Sequence, residues 1–319
     1  MNWAKQLLVI LGGMLMAGGA LAQAWPTKPI TLLIPFPPGT GNDIIGRVLG
    51  TEMSKTLGQP VVAENRAGVS GNIAMEATAR AAPDGHTLVV GSTSYAINVF
   101  TLKGTAPLSA FTQVALIGKL PYTLMVSPQV PVRDIKDLVA LLKAKKGQYN
   151  GATGGPTGTS FFLTVALKQA TGVELEIVPY KGTTEAVTDL LDGRVHILFA
   201  PMATAIPHYK SGKIRIFGTT GVKRNPLTPD VPSFIESGFP TLDVPSWFGF
   251  MGPAGIPRAV VTRLNDAANK ALAAKDALDK LNNIGIEPSP GTPEDFDAFL
   301  KQDSANWAKM VKGAGVTAQ

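Results

Sequence analysis

The sequence predicts an α/β protein of two similar lobes, each a sheet covered by helices with a glycine loop at a helix start. Three observations carry this prediction. Apolar strand-length runs alternate with amphipathic helical stretches, the pattern of parallel sheets. A strand–glycine loop–helix unit occurs at residues 30–57 and again at 149–170. A late apolar run, VPSWFGFMG at 244–252, can carry the chain back to the lobe it began in.

Length and composition bound the rest. The chain has 319 residues, of which 45% are apolar, enough for two cores. Residues 1–24 stand apart: Lys5, an apolar run over 7–16 and small residues at Ala20, Ala22 and Ala24 read as a cleavable secretory signal peptide. The expected destination is the periplasm. The chain contains no cysteine, which excludes disulfides, thiolate metal sites and a cysteine nucleophile. Net charge is +6, and loss of residues 1–24 removes only Lys5, leaving +5. The basic residues are scattered and rarely interleaved with aromatics, so the charge reads as a mild field for small anions and not as a nucleic-acid footprint.

In chain order, residues 30–34 (ITLLI) form a strand and 35–41 a Pro/Gly loop. The helix over 43–57 carries Ile44, Ile45, Val48, Leu49, Met53 and Leu57 at helical spacing. Gly39 and Gly41 allow close backbone approach, and the following helix start offers free N–H donors at its positive end. The loop has no Lys, Arg or His, so an anion there would be held by backbone amides and the Thr40 hydroxyl. Asp43 reads either as a helix cap or, for a ligand bearing a hydroxyl or amine, as a direct contact. Two nucleotide motifs fail: Ile44 stands where a dinucleotide fingerprint needs its third glycine, and Gly41 is followed by Asn42-Asp43, not Lys-Ser/Thr.

A strand at 61–64, a helix at 70–81 and a strand at 86–90 follow, the last ending in a polar loop, Gly91 to Tyr95. Glu64 beside Arg66, and Asp84 in its Pro-Asp-Gly turn, read as structural groups. Residues 111–127 are strand-like and lead out of the first unit, and 134–145 form an amphipathic helix. The opening theme then returns: strand 149–153, glycine loop 154–158, and a helix capped by Thr159. A strand at 173–179, a helix at 183–191, a strand at 195–199, a short helix at 203–209 and a strand at 214–218 complete the second lobe. Helices at 258–273, 275–284 and 293–311 finish the first. Paired connections near 120–127 and 244–252 read as a hinge about which the lobes close.

Taken together, PTKPITLLIPFPPGTGNDIIGRVL, VVAENRAGVSGN, APDGHTLVVGSTSYAIN, VPYKGTTEAVTDLLDGRV, SWFGFMGPAGIP and SPGTPEDFDAFL resemble the Bug receptors. These are the periplasmic solute-binding proteins of tripartite tricarboxylate transporters, and the resemblance spans the chain beyond residue 24. It implies a type II periplasmic-binding-protein fold, lobes of 25–122 plus 246–319 and of 123–245, and a carboxylate bound between them. It also implies membrane transporter subunits as partners, with no cofactor, no metal, no catalysis and a monomeric chain. Mapped onto this sequence, the first loop contributes Phe36, Pro38, Gly39, Thr40, Gly41 and Asp43. The second contributes Thr153, Gly155, Thr157, Gly158 and Thr159. Ser92 and Tyr95 form the first-lobe rim, and Lys181 and Ala200 approach from the second lobe.

The sequence departs from the family at Thr40 for a usual glycine, Phe162 and Tyr95 for usual histidines, and Ala200 for a usual aspartate. A polar distal group buried against Phe162 and Ala200 would lack partners at about 1–3 kcal/mol. The expected ligand is therefore a carboxylate with an apolar or aromatic body. The rival classes are a ligand-sensing partner of a membrane signalling protein and a secreted hydrolase. The hydrolase has little behind it: three histidines (His86, His196, His208), no G-x-S-x-G and no H-E-x-x-H.

Overall fold

The computed structural model describes residues 25–155, 158–180 and 182–318. The expected signal peptide, Thr157 and Lys181 lie outside the described residues. Strands β1 (Ile30–Ile34), β2 (Val61–Asn65), β3 (Thr87–Ser92) and β4 (Phe111–Leu120) enter a first sheet. The second sheet holds β5 (Tyr122–Val126), β6 (Asn150–Thr153), β7 (Glu176–Pro179), β8 (Ile197–Pro201) and β9 (Arg215–Thr219). The chain then returns to the first sheet through β10 (Ser246–Pro253) and β11 (Glu287–Pro288).

The two sheets have orders β11-β4-β10-β3-β1-β2 and β7-β6-β8-β5-β9. In the first, β1 pairs parallel with β2 and β3, and β10 runs antiparallel to β3 and β4. In the second, β6 pairs parallel with β7 and β8, and β5 runs antiparallel to β8 and β9. Five strands of each sheet therefore share one plan; the second sheet is built from consecutive strands β5 to β9, and the first takes β10 and β11 from after it.

Helices α1 (Gly41–Leu57), α2 (Asn72–Ala79) and α3 (Thr93–Thr101) belong to the first sheet. Next come α4 (Ile135–Ala144), α5 (Thr159–Thr171), α6 (Thr183–Leu191) and α7 (Met202–Lys210). The chain finishes with α8 (Arg258–Ala273), α9 (Lys275–Asn283) and α10 (Pro293–Gly313). Among the described residues no helix is long and apolar enough to cross a membrane.

Burial follows the periodicity. Ile45, Leu49, Met53 and Leu57 put one stripe of α1 into the core beside α8 and α9, and Gly58 ends the helix at φ 72°. The opposite face of the first sheet is filled by Trp247, Phe296, Trp307 and Tyr95 from β10, α10 and α3. Helix α10 starts with a capping box: Thr292 accepts from the Asp295 N–H, and Asp295 accepts from the Thr292 N–H at 2.9 Å.

Two local expectations change. Residues 111–127 are two strands in different sheets, broken at Pro121, which has no N–H for a ladder bond. Residues 91–95 are not a polar loop. Strand β3 runs to Ser92, which stands in extended backbone at the cap position, and α3 begins at once at Thr93. Serine and threonine favour helix starts as well as turns, so a hydroxyl-rich run alone leaves the two unresolved.

Candidate functional site

The parallel strands of both sheets deliver their helices to one place. A cavity of about 590 Å³ is lined by the first residues of α1, α3, α5, α6 and α7: Gly41 and Asn42, Thr93 and Ser94, Thr159 and Ser160, Thr183, and Ala203 with Thr204. Ligand crevices of open α/β sheets lie at such strand carboxyl ends. The first N–H groups of a helix have no intrahelical acceptor, and each helix start carries partial positive charge. Among the described lining residues there is no Asp, Glu, Lys, Arg or His. The described wall is thus a store of backbone donors and hydroxyls without a formal charge, which suits a small anion.

The β1–α1 loop is fixed by bonds turned away from the cavity. Thr40 Oγ1 donates to the Pro37 carbonyl at 2.9 Å. The buried Asp43 carboxylate accepts from Gly39 N, Arg47 Nε and Asn65 Nδ2, each at 2.9 Å. Burial alone pushes the Asp43 carboxyl up; the Gly39 N–H, Asn65 and Arg47 outweigh it and hold it below the usual carboxylate range. Asp43 is therefore the third residue of α1 and not its cap, and it uses up the Gly39 donor. Thr40 occupies the cap position. Gly39 itself is required by its left-handed φ of 82°.

On the second-sheet side, Thr153 Oγ1 donates to the Gly155 carbonyl at 2.9 Å, closing the turn behind Gly154. A Cβ on Gly154 would stand 2.6 Å from Thr183 Oγ1, so this glycine lets the loop approach the start of α6. The floor comes from the connections between sheets. Tyr122 lies beside Ser246 and Thr159, and Thr93 Oγ1 accepts the Trp247 N–H at 2.8 Å. Apolar wall is supplied by Phe36, Ile44, Leu120, Phe248, Ile284 and Ile286.

Of the residues singled out from sequence, Phe36, Gly39, Thr40, Gly41, Ser92, Gly158 and Thr159 lie on the cavity wall. Pro38 is exposed beside it. Thr153, Gly155 and Asp43 stand behind the wall and shape the two loops. Tyr95, Phe162 and Ala200 are corrected: none lines the cavity. Tyr95 is buried, donates to the Ala106 carbonyl at 3.0 Å and packs edge-on against Phe111. The turn of α5 swings Phe162 onto Trp307 of α10, ring centroids 5.6 Å apart, where it is 1% exposed. Ala200 is an inward position of β8 opposite Thr123, sealed among Ala152, Met125 and Ala205. The apolar surface expected from these three side chains comes instead from Leu120, Phe248, Ile284 and Ile286. Phe248 lies in the SWFGFMG run; Ile284 and Ile286 flank a helix end and give no sequence signal.

None of the three histidines reaches the cavity. His86 accepts from Thr27 N at 3.3 Å and packs on Trp25, His196 is bonded to Asn150 and packs on Tyr149, and His208 lies in the last turn of α7. Among the described residues no group of three His, Asp or Glu could hold a metal.

The comparisons with known proteins agree with this geometry. A model of the tripartite tricarboxylate transporter family receptor matches residues 45–316. The protein BugT of Bordetella pertussis is 32% identical over 99% of both chains. A protein encoded in the tcbD-tcbE intergenic region of Pseudomonas sp. strain P51 is 37% identical over 91% of this chain and 87% of its own. Among solved structures, R. palustris Rpa4515 with adipate superposes with a TM-score of 0.81 at 32% identity, covering 92% of this chain and all of the other. MatC from Rhodopseudomonas palustris with bound malate gives 0.76 at 30% identity, covering 90% of this chain and all of the other. With the family model spanning most of the chain and two sheets meeting at one cavity, the chain belongs to the tripartite tricarboxylate transporter receptor family, the periplasmic solute-binding proteins that include the Bug receptors.

Proposed function

We propose that this receptor captures a small carboxylate in the cavity between its sheets and delivers it, outside the cytoplasm, to the membrane subunits of a tripartite tricarboxylate transporter. The observation that carries the reading is the meeting of five helix starts on a wall whose described residues include no charged side chain. The carboxylate is held by backbone N–H groups of α1 and α5 from opposite sides, with hydroxyls of Ser92, Thr93 and Thr159 beside it. The protein binds and releases without catalysis, acts as a monomer, and is exported by a leader removed at about residue 24. The lobes are residues 25–122 plus 246–319 and residues 123–245, closing about Pro121 and the entry to β10. The ligand's preference for the closed form sets how far that closure proceeds.

Adipate and malate in the two Rhodopseudomonas palustris proteins support a carboxylate here. The apolar side chains Leu120, Phe248, Ile284 and Ile286 support one with an apolar body. Isothermal calorimetry against adipate, hexanoate, benzoate, malate and citrate tests this. The expected result is tightest binding to adipate, hexanoate or benzoate. Citrate as the tightest ligand would overturn the apolar-body assignment, and heat from none of the five would overturn the carboxylate reading.

A further inference from the structure

The polar and apolar parts of the first-sheet wall are separated along the strand order. Reading across the sheet, β1, β3, β10, β4 and β11 follow one another. The β1–α1 loop delivers Gly41 and Asn42, and Ser92, Thr93 and Ser94 end β3 and begin α3, so the donors stand at one end. Phe248 on β10 is the register partner of Ser92 on one side and of Gly118 on the other. Leu120 ends β4, and Glu287 of β11, next to Ile286, is the partner of Lys119. The apolar wall residues Phe248, Leu120 and Ile286 thus succeed one another away from the donors. Neighbouring strands lie about 4.8 Å apart, so the wall from β3 to β11 covers about 14 Å.

The far end of this track is closed by a rigid corner. Ile284 follows the last turn of α9, lines the cavity and is half-buried. Gly285 has a left-handed φ of 77°, and the N–H groups of Ile284, Gly285 and Ile286 donate to the Leu281 and Asn282 carbonyls at 2.9 to 3.2 Å. A Cβ on Gly285 would stand 3.2 Å from Met202 Cγ and 3.7 Å from Leu120 Cδ1. Met202 is itself fixed, its N–H donating to the Pro121 carbonyl at 2.8 Å and its side chain lying in the first core. We infer that Ile284, held at this corner by Gly285 against Met202, is a specificity-determining residue that stops the tail of an unbranched acyl chain and so sets the length of acid bound tightest. The inference rests on the carboxylate reading above, with the carboxylate at the β1 and β3 end and the tail running towards β11.

The test is calorimetry of the full mature chain with butanoate, hexanoate, octanoate and decanoate. In the parent, affinity should rise about fourfold for each methylene that reaches the apolar wall and should pass its maximum before decanoate. Ile284→Ala should move the maximum to the next longer acid of the series and Ile284→Phe to the next shorter, with butanoate within about twofold of the parent in both. Ile284→Val, smaller by one methyl group, carries the test if either variant fails to fold: its octanoate-to-hexanoate affinity ratio should exceed that of the parent. A structural role alone would change all four affinities by one common factor. That outcome, a maximum that none of the variants moves, or a parent affinity still rising at decanoate would overturn the inference while leaving the carboxylate reading in place. Heat from none of the four acids would overturn the placement of an acyl chain on this wall, and heat from none of these and none of the five named above would remove the carboxylate reading with it.

Discussion

Asp303 shows how one buried carboxyl sets a pH dependence in the scaffold of the site. It is 9% exposed, lies on α10 and accepts from Trp247 Nε1 at 2.8 Å, and Trp247 is a wall residue of the cavity. Burial pushes its carboxyl from the ordinary 3.8 up to about 6, against the opposing pull of the Trp247 bond and of Lys119. Because the folded value lies above the unfolded one, the folded state binds more protons between the two. Stability from this residue is therefore full below about pH 4 and is lost as pH rises through 6. The interval corresponds to about 3 kcal/mol. Asp303→Asn keeps an acceptor for Trp247 and has no charge to bury. We expect its thermal midpoint to exceed that of the parent by a few degrees at pH 7.5 and to match it at pH 4. An identical difference at both pH values would mean that Asp303 does not titrate in this range.

At the level of elements, stability and binding separate along the chain. The α10 capping box is formed by Thr292 and Asp295, neither of which lines the cavity. Thr292→Ala should reduce stability by about 1 kcal/mol with carboxylate affinity unchanged, measured by denaturant melts and calorimetry. A change in affinity would show that the set of α10 against β10 reaches the wall. This element was readable in the sequence because its signals are local: Thr292, Pro293 and Asp295, then apolar residues at helical spacing. The units β1–α1 and β6–α5 were readable for the same reason, each a short strand, a glycine loop and a polar helix start. The first strand of the second lobe and the start of α3 were not. Pro121 breaks a continuous apolar run whose halves enter different sheets, and Ser92-Thr93-Ser94 fits a turn as well as a helix cap. The wall itself was readable only where backbone makes it. Side chains such as Phe248, Ile284 and Ile286 reach the cavity through tertiary packing, which no local spacing encodes.

For the molecule as a whole, the position misassigned from sequence has the largest consequence. Phe162 belongs to α5, which covers the second sheet, yet its ring is buried in the cluster of Trp247, Phe296 and Trp307 on the first. Gln169 Nε2 of the same helix donates to the Gly313 carbonyl of α10 at 2.8 Å, a second link on that side. On the other side, Met202 at the start of α7 enters the first sheet's core, and a Cβ on Gly285 would stand 3.2 Å from its Cγ. The sheets are thus joined by packing on two flanks as well as by the strand crossings. A domain pair that shares core residues should unfold as one unit. Removing the Phe162 ring opens a cavity in that shared core, at about 3–5 kcal/mol for a buried Phe→Ala change. We expect scanning calorimetry of the parent to show a single transition. In Phe162→Ala that transition should fall in temperature and broaden or divide, while the order of preference among carboxylates stays the same, because the ring does not touch the cavity. Two resolved transitions in the parent, with only one moved by the substitution, would show that the shared core does not couple the sheets. An altered ligand order in a variant that remains folded would return Phe162 to the binding surface.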